Sequence, residues 1–188
     1  MVATDGSEPQ IAHARPAAGI RYAVMLAEAP GLMDGSFDLV TVAQALHWLD
    51  LDGFGNAARR VLRPGGVLAA WCYGLLTEPP EIAAAVGRFS TQVVGAWWPP
   101  RRRHIDTGYA DLELPCAPLP SPFLSMTVRW TLPELLGYVG TWSAVDRCRA
   151  ATGADPVGGL ARELVPLWGE PGARRRIAWP LHVRAGRV

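Results

Sequence analysis

Short apolar runs of strand length recur through the first 73 residues, and polar or helix-forming segments separate them. Runs this apolar are typical of strands buried on both faces of a sheet. The pattern predicts four strands, at 2–4, 20–26, 36–46 and 67–73. It also predicts two helices, one that opens at Ser7 and ends by Pro16, and one at 53–62 with Asp52 as its N-cap. Alternating strands and helices indicate an α/β fold with a mostly parallel sheet.

Helical spacing dominates the chain after residue 76. Ile82, Val86, Phe89, Val93 and Trp97 are three or four residues apart, which predicts a single helix over 81–98. The segment 123–130 alternates like a strand and leads into Thr131-Leu132-Pro133-Glu134, a capping box for a helix that should end near Gly153. A last helix at 157–168 and a last strand at 175–186 complete the pattern, and we treat 1–188 as one domain divided at residue 76.

Composition indicates a folded globular protein and gives no sign of a nucleic-acid or membrane partner. Apolar residues make up 49% of the chain and charged residues 19%, which is typical of a folded globular protein. The net charge is +1, so no overall field favours nucleic acid or an anionic membrane surface. The three cysteines show no C-x-x-C spacing, and the longest apolar run, 65–76, is too short to span a bilayer. We therefore expect a cytoplasmic protein that binds neither nucleic acid nor membrane.

Asp5 stands at the carboxyl end of a predicted strand, just before a helix. In open α/β sheets an acidic residue at this place binds the ribose of an adenosine-containing cofactor, although Asp-Gly is also common in plain turns. His47, Asp50 and Asp52 could form a metal cluster, but a helix cap beside a packed imidazole explains them better, and we expect no metal. The G-x-S-x-G and H-E-x-x-H motifs of hydrolases do not occur.

The stretch "SFDLVTVAQALHWLDLDGFGNAARRVLRPGGVLAAWCYG", at 36–74, resembles the class I S-adenosylmethionine-dependent methyltransferases. In that family a strand beginning Phe-Asp-Leu-Val precedes a helix that ends Arg-Val-Leu-x-Pro-Gly-Gly. Segments of the second half, "RRHIDTGYADLELP", "WTLPELLGYVGTWSAVDR" and "WPLHVRAG", are similar to the trans-aconitate methyltransferase subgroup. The resemblance implies a Rossmann-like, doubly wound sheet, with 1–76 as a partial cofactor-binding half and 77–188 on the acceptor side.

The resemblance also implies roles for individual residues. Asp5 would bind the ribose of S-adenosyl-L-methionine, and Leu26 stands where many relatives carry an Asp that binds the adenine amine. The other cofactor-side positions would be Gly6, Ala27, Glu28, Ala43 and Gln44. The positions facing the acceptor would be His47, Trp48, Arg101 and Tyr109. Further candidates for holding an acidic acceptor are Arg102, Arg103, His104 and Arg129.

No catalytic acid or base is predicted, because a sulfonium is already a strong electrophile and placement of the acceptor is the main requirement. The expected reaction is methyl transfer to a small molecule, and a carboxylic acid would need only cationic or hydrogen-bonding groups to hold it.

The family's first strand and its Gly-rich loop have no counterpart in this sequence, which contains no G-x-G-x-G. We expect a sheet without its first strand and low cofactor affinity. The chain could be a methyltransferase truncated before strand two, a degenerate paralogue without catalysis, or a fragment completed by another chain.

Two alternatives from other classes stay open. One is a non-catalytic interaction module with six partly exposed tryptophans, Trp97, Trp98, Trp130, Trp142, Trp168 and Trp179. The other is a nicotinamide-dependent dehydrogenase, which the absence of any Lys disfavours.

Overall fold

The computed structural model describes residues 1–188, which form two compact units. The first unit contains residues 1–71, 109–122 and 183–188. The second contains residues 72–108 and 123–182. Two segments that follow residue 76, 109–122 and 183–188, thus belong with the first unit.

Seven strands and seven α-helices make up the chain. The strands are β1 Val2–Asp5, β2 Arg21–Val24, β3 Phe37–Ala43, β4 Leu62–Tyr73, β5 Ala117–Leu119, β6 Leu124–Trp130 and β7 Arg175–Arg187. The helices are α1 Glu8–Ala12, α2 Leu51–Val61, α3 Pro80–Arg88, α4 Arg103–Asp106, α5 Leu132–Gly140, α6 Ser143–Thr152 and α7 Val157–Trp168. None of these helices has the length and apolar character needed to cross a membrane.

The strands form two separate sheets. β1 and β2 pair in parallel, with Asp5 opposite Val24, and form a two-stranded sheet of their own. The larger sheet has the order β3-β4-β7-β5, with β6 also paired to β7. Within it β3 and β4 are parallel, while β5 and β6 run antiparallel to β7. The fold is Rossmann-like α/β, and β1 is not hydrogen-bonded to β3.

The first unit is held together around α2. This helix buries Phe54, Ala57, Ala58 and Val61, which recur at helical spacing and so lie on one face. Near its end, Arg60 donates to the carbonyl oxygens of Leu32 (2.8 Å) and Pro30 (2.7 Å) and pairs with Asp34. The loop that connects β2 to β3 is therefore fastened to α2.

Helix α1 begins after Ser7 as predicted, whereas the predicted N-cap of α2 is wrong. Asp50, not Asp52, is the N-cap of α2, and its Oδ2 accepts from the Gly53 N–H at 3.3 Å. The Ser7 side chain does not cap α1; instead the Asp5 carboxylate accepts from the Ser7 N–H at 2.7 Å. Sequence spacing alone allowed either acidic residue to cap α2, and the backbone path selects Asp50.

The second unit has an aromatic-rich core. Its largest fully buried side chains include Trp168 and Trp179, each 1% exposed, which corrects the expectation that they lie on a surface. The remaining tryptophans of that prediction pack against this core as half-buried side chains: Trp97, Trp98, Trp130 and Trp142.

The helix predicted over 81–98 is shorter than expected. α3 ends at Arg88 and continues as a wide π-helical turn, Phe89–Val93, which shifts the helical register. Val93 is consequently 50% exposed, whereas Ile82 and Val86 are buried.

The capping box at Thr131 and Glu134 is confirmed. The helix that it opens is divided into α5 and α6, and α6 ends at Gly153 with φ +72°, a left-handed conformation that glycine adopts readily.

Candidate functional site

The carboxyl ends of β1 and β2 lie side by side, because the two strands are parallel and in register. The Met25 N–H donates to the Asp5 carbonyl oxygen at 3.0 Å, which extends the pairing past the last strand residues. A Cβ at Gly6 would lie 3.5 Å from Leu26 Cδ2, so the Gly6 backbone and the Leu26 side chain are in close proximity. Leu26 is 64% exposed. This edge therefore presents a carboxylate next to an open apolar surface.

One oxygen of Asp5 is already used within the chain. Oδ1 accepts from the Ser7 N–H, which fixes the carboxylate at the start of α1. The side chain is exposed, so Oδ2 faces solvent-accessible space. A carboxylate fixed in this way can accept hydrogen bonds from a ligand hydroxyl without first losing rotamer freedom.

Glu28 connects the end of β2 to the start of α2. Its Oε1 accepts from the backbone N–H of Asp50 at 3.0 Å. A Cβ at Gly53 would lie 2.8 Å from Asp50 Oδ2 and 3.3 Å from Glu28 Cβ, so glycine is what permits this close approach. Negative charge is favourable at a helix N-terminus, and Glu28 supplies it here. Ala27, the preceding residue, is half-buried.

The end of β3 carries the backbone strain that often accompanies a binding site. Gln44 follows Ala43 directly and has φ +52°, in the left-handed region that non-glycine residues seldom adopt. Its N–H donates to the Trp71 carbonyl oxygen of the neighbouring strand at 2.9 Å. This bond holds Gln44 in the strained conformation and turns the chain toward His47.

His47 and Tyr109 form a buried pair within the first unit. His47 Nδ1 and Tyr109 Oη are 2.8 Å apart, and the two side chains are 5% and 0% exposed. Trp48 lies beside them, with its ring centroid 4.8 Å from that of His47, and is 49% exposed. Of the four acceptor-side residues predicted from the sequence, the structure thus brings together His47, Trp48 and Tyr109.

Tyr109 is itself held in an unusual conformation. Its φ is +64°, which a bulky buried residue adopts only when its surroundings enforce it. The Arg184 guanidinium donates to the carbonyl oxygens of Tyr109 and Leu112 and so clamps this segment. Sequence reasoning missed Arg184; the signal was a lone arginine within the apolar strand "WPLHVRAG".

Arg101, the fourth predicted acceptor-side residue, belongs to the second unit. It lies in the single turn Pro100–Arg102 and is exposed. In the chain as a whole, no group of three or more His, Cys, Asp or Glu side chains is arranged to hold a metal ion.

Comparison with known proteins identifies the family. Residues 1–70 match the family model described as "Methyltransferase domain". A solved structure described as a "Putative Type II Methyltransferase" from Anaeromyxobacter dehalogenans is 44% identical, with a TM-score of 0.90. The alignment covers 99% of this chain and 79% of that one. The chain belongs to the class I S-adenosylmethionine-dependent methyltransferases.

Two further proteins that match the chain are also described as putative methyltransferases. A Dictyostelium discoideum protein described as a "Putative methyltransferase" is 30% identical over 146 residues, which is 76% of this chain and 56% of that protein. The chain thus spans little more than half the length of this curated relative. A methyltransferase-like structure from Bacillus halodurans is 15% identical with a TM-score of 0.47, covering 99% of this chain and 81% of that one.

The cofactor of this methyltransferase family is S-adenosyl-L-methionine, and residues of the first unit fit its adenosine half. Asp5 offers a fixed acceptor for ribose hydroxyls, and Leu26 offers an apolar surface beside Gly6 for a flat base. The Leu26 side chain has no acceptor for a hydrogen bond from an adenine amine and could offer a base only apolar contact.

Proposed function

We propose that this protein transfers a methyl group from S-adenosyl-L-methionine to a small carboxylic acid, as the resemblance to the trans-aconitate methyltransferase subgroup suggests. The observation that carries the proposal is the arrangement in the first unit. Asp5, Gly6 and Leu26 meet at one strand edge, and the His47–Tyr109 pair follows the strained end of β3. The three cysteines are free thiols, and we place the protein in the cytoplasm.

The bound cofactor would supply a methyl group on a positively charged sulfur, which reacts with a nucleophile without prior activation. The work left to this chain is binding and orientation. Asp5 would hold the ribose through its carboxylate, and Leu26 would supply an apolar contact for the adenine. Ala43 and Gln44 would lie toward the methionine end, at the turn where Gln44 has φ +52°.

His47 would orient the acceptor. The hydrogen bond between Tyr109 Oη and His47 Nδ1 fixes the imidazole ring, and its other nitrogen, Nε2, can then point in only one direction. Trp48 adds an apolar surface next to that ring. A carboxylate acceptor needs no deprotonation near neutral pH, so His47 serves here as a hydrogen-bonding group and not as a base.

Calorimetric titration with S-adenosylhomocysteine tests the cofactor half of this proposal. We expect weak but measurable binding, because the residues proposed for the adenosine half of the site are present in the chain. Asp5→Asn should weaken binding by about tenfold or more, since a hydrogen bond to a charged group contributes about 1.5–3 kcal/mol.

Asp38→Asn is the matched control. Asp38 lies near the amino end of β3, is 70% exposed and pairs with Arg63, so the change removes the same charge from the same unit. Equal heats for Asp5→Asn and the unchanged chain, or no heat with S-adenosylhomocysteine at millimolar concentration, would contradict the proposal.

A further inference from the structure

Arg102 is a mostly buried cation in the second unit. Its neighbours Arg101 and Arg103 are exposed, as is typical of a basic run, but the Arg102 side chain is only 13% exposed. Its guanidinium carbon lies 5.0 Å from the centroid of the Trp98 ring, in cation–π contact. Arg102 therefore differs from the other arginines of this run in its burial and in its contact with an aromatic ring.

The carboxylate that pairs with Arg102 approaches from the solvent side. Asp106 Oδ1 lies 2.6 Å from Arg102 Nη1, and the Asp106 side chain is 63% exposed. A guanidinium has several further N–H donors, and a single carboxylate oxygen engages few of them. Asp106 is thus a partner that solvent can reach and that a ligand carboxylate could replace.

Aromatic rings extend from Arg102 into the second unit. The Trp98 and Trp142 ring centroids are 5.5 Å apart, and Trp142 meets Tyr138 edge to face at 5.9 Å. Trp98 Nε1 donates to the Ser90 carbonyl oxygen at 3.1 Å, which fixes the ring. Trp98, Trp142 and Tyr138 are all half-buried, so each keeps some surface that a ligand can contact.

Two uncharged polar groups, the Tyr138 hydroxyl and the Cys72 thiol, feel the positive charge of Arg102. Burial raises the pKa of the Tyr138 hydroxyl to about 12, and the neighbouring Tyr73 adds to the shift, while the positive charge of Arg102 opposes it. Burial likewise raises the pKa of the Cys72 thiol to about 11, again against the effect of Arg102. Both groups are neutral at pH 7, so they can form hydrogen bonds but cannot balance the guanidinium charge.

We propose that Arg102 and Trp98 form a binding subsite for a flat, apolar monocarboxylate. Arg102 pairs with the carboxylate, and the Trp98 ring contacts the planar carbon skeleton. One cation among aromatic rings suits one negative charge, because a second carboxylate would be buried without a partner. Binding of this ligand to the second unit does not depend on the proposed function.

Isothermal titration with trans-cinnamate, and with uncharged trans-cinnamamide for comparison, tests this subsite in the full chain. We expect cinnamate to bind and the amide to bind at least about tenfold more weakly, since it lacks the charge that pairs with Arg102. Arg102→Gln should weaken cinnamate binding by about tenfold or more. Arg147→Gln, which removes an exposed positive charge from α6, should leave it unchanged.

Asp106→Asn gives a result that a purely structural role of Arg102 would not produce. Removing the competing carboxylate should tighten cinnamate binding by about threefold, since exposed ion pairs contribute up to about 1 kcal/mol. Circular dichroism would show whether Arg102→Gln folds. If it does not, Asp106→Asn still tests whether Arg102 binds the ligand.

The proposal is overturned if cinnamate fails to bind, if folded Arg102→Gln binds it as well as the unchanged chain, or if Asp106→Asn weakens binding. Because these titrations contain no cofactor, their outcome is independent of the titration with S-adenosylhomocysteine. Cinnamate binding without S-adenosylhomocysteine binding would support the subsite and count against methyl transfer by this chain.

Discussion

At the scale of single residues, the positions that sequence motifs mark are held by contacts that the motifs do not reveal. The motif predicts that His47 faces an acceptor, but Tyr109, which fixes its ring, lies 62 residues further along the chain. Asp5 could be placed at a strand end from spacing alone, whereas its bond to the Ser7 N–H depends on the local turn. Arg102 could not be told from Arg101 or Arg103, because burial is decided by tertiary packing.

Tyr109→Phe tests whether the buried pair stabilises the first unit. The change removes the hydroxyl that bonds His47 Nδ1 and leaves the ring in place, so we expect the free energy of unfolding to fall by about 1–3 kcal/mol. Urea-induced unfolding of the variant and of the unchanged chain measures this difference in the free energy of unfolding.

Tyr22→Phe is the control for this change. The Tyr22 hydroxyl donates to the Arg15 carbonyl oxygen at 2.8 Å in an exposed place, so its loss should cost less than about 1 kcal/mol. Equal costs for the two variants would show that the His47–Tyr109 bond adds nothing beyond a surface hydrogen bond.

At the scale of elements, local signals predicted helix starts better than helix lengths. The Thr131–Glu134 capping box is confirmed because both of its hydrogen bonds lie within one turn of the chain. The helix expected over 81–98 is interrupted because the π-helical turn at Phe89–Val93 satisfies packing in the core, and a periodic pattern does not record such a shift. Strand 175–186 was predictable because its apolar residues are contiguous, and it is observed as β7, Arg175–Arg187.

The α5 cap should make stability depend on pH. The Thr131 N–H donates to the Glu134 carboxylate, and this bond, together with the Thr131 hydroxyl, holds the Glu134 pKa below its ordinary value of 4.5. A lowered folded-state pKa means that the stabilisation is present above the ordinary pKa and is lost as the pH falls through the folded-state pKa.

Glu134→Gln should therefore destabilise the chain most at neutral pH, and the difference from the unchanged chain should shrink in acid. Urea-induced unfolding over a pH series measures it, and a difference that stays constant into strong acid would contradict the prediction. Thr131→Ala, for comparison, removes the N-cap acceptor and should cost about 1 kcal/mol at neutral pH.

At the scale of the whole molecule, the sequence predicted the Rossmann-like architecture. It did not predict that 109–122 and 183–188 join the first unit, because long-range pairing such as Ala117 opposite Arg187 leaves no local pattern. The sequence also did not predict which unit holds each acceptor-side residue. Tyr109 lies with His47 in the first unit, whereas Arg101 lies in the second unit.

Separate sheets should open independently. β1 and β2 contain no buried residue, and two-stranded sheets are marginally stable alone, whereas β3 and β4 bury Val42, Leu68 and Ala70. Hydrogen exchange can compare two matched amides, Met25 bonded to the Asp5 carbonyl and Gln44 bonded to the Trp71 carbonyl. We expect Met25 to exchange at least about tenfold faster. Equal protection would show that the two sheets open as one unit.

The outer edge of β3 has a consequence for handling the protein. "FDLVTVA" is rich in β-forming residues, stands at the end of its sheet, and leaves Leu39 51% exposed. Such an edge is a template for pairing with a strand of another molecule. With a net charge of only +1, the molecules repel one another weakly near neutral pH. Solubility should thus be lowest near the isoelectric point of 7.8 and should improve in buffers well away from it.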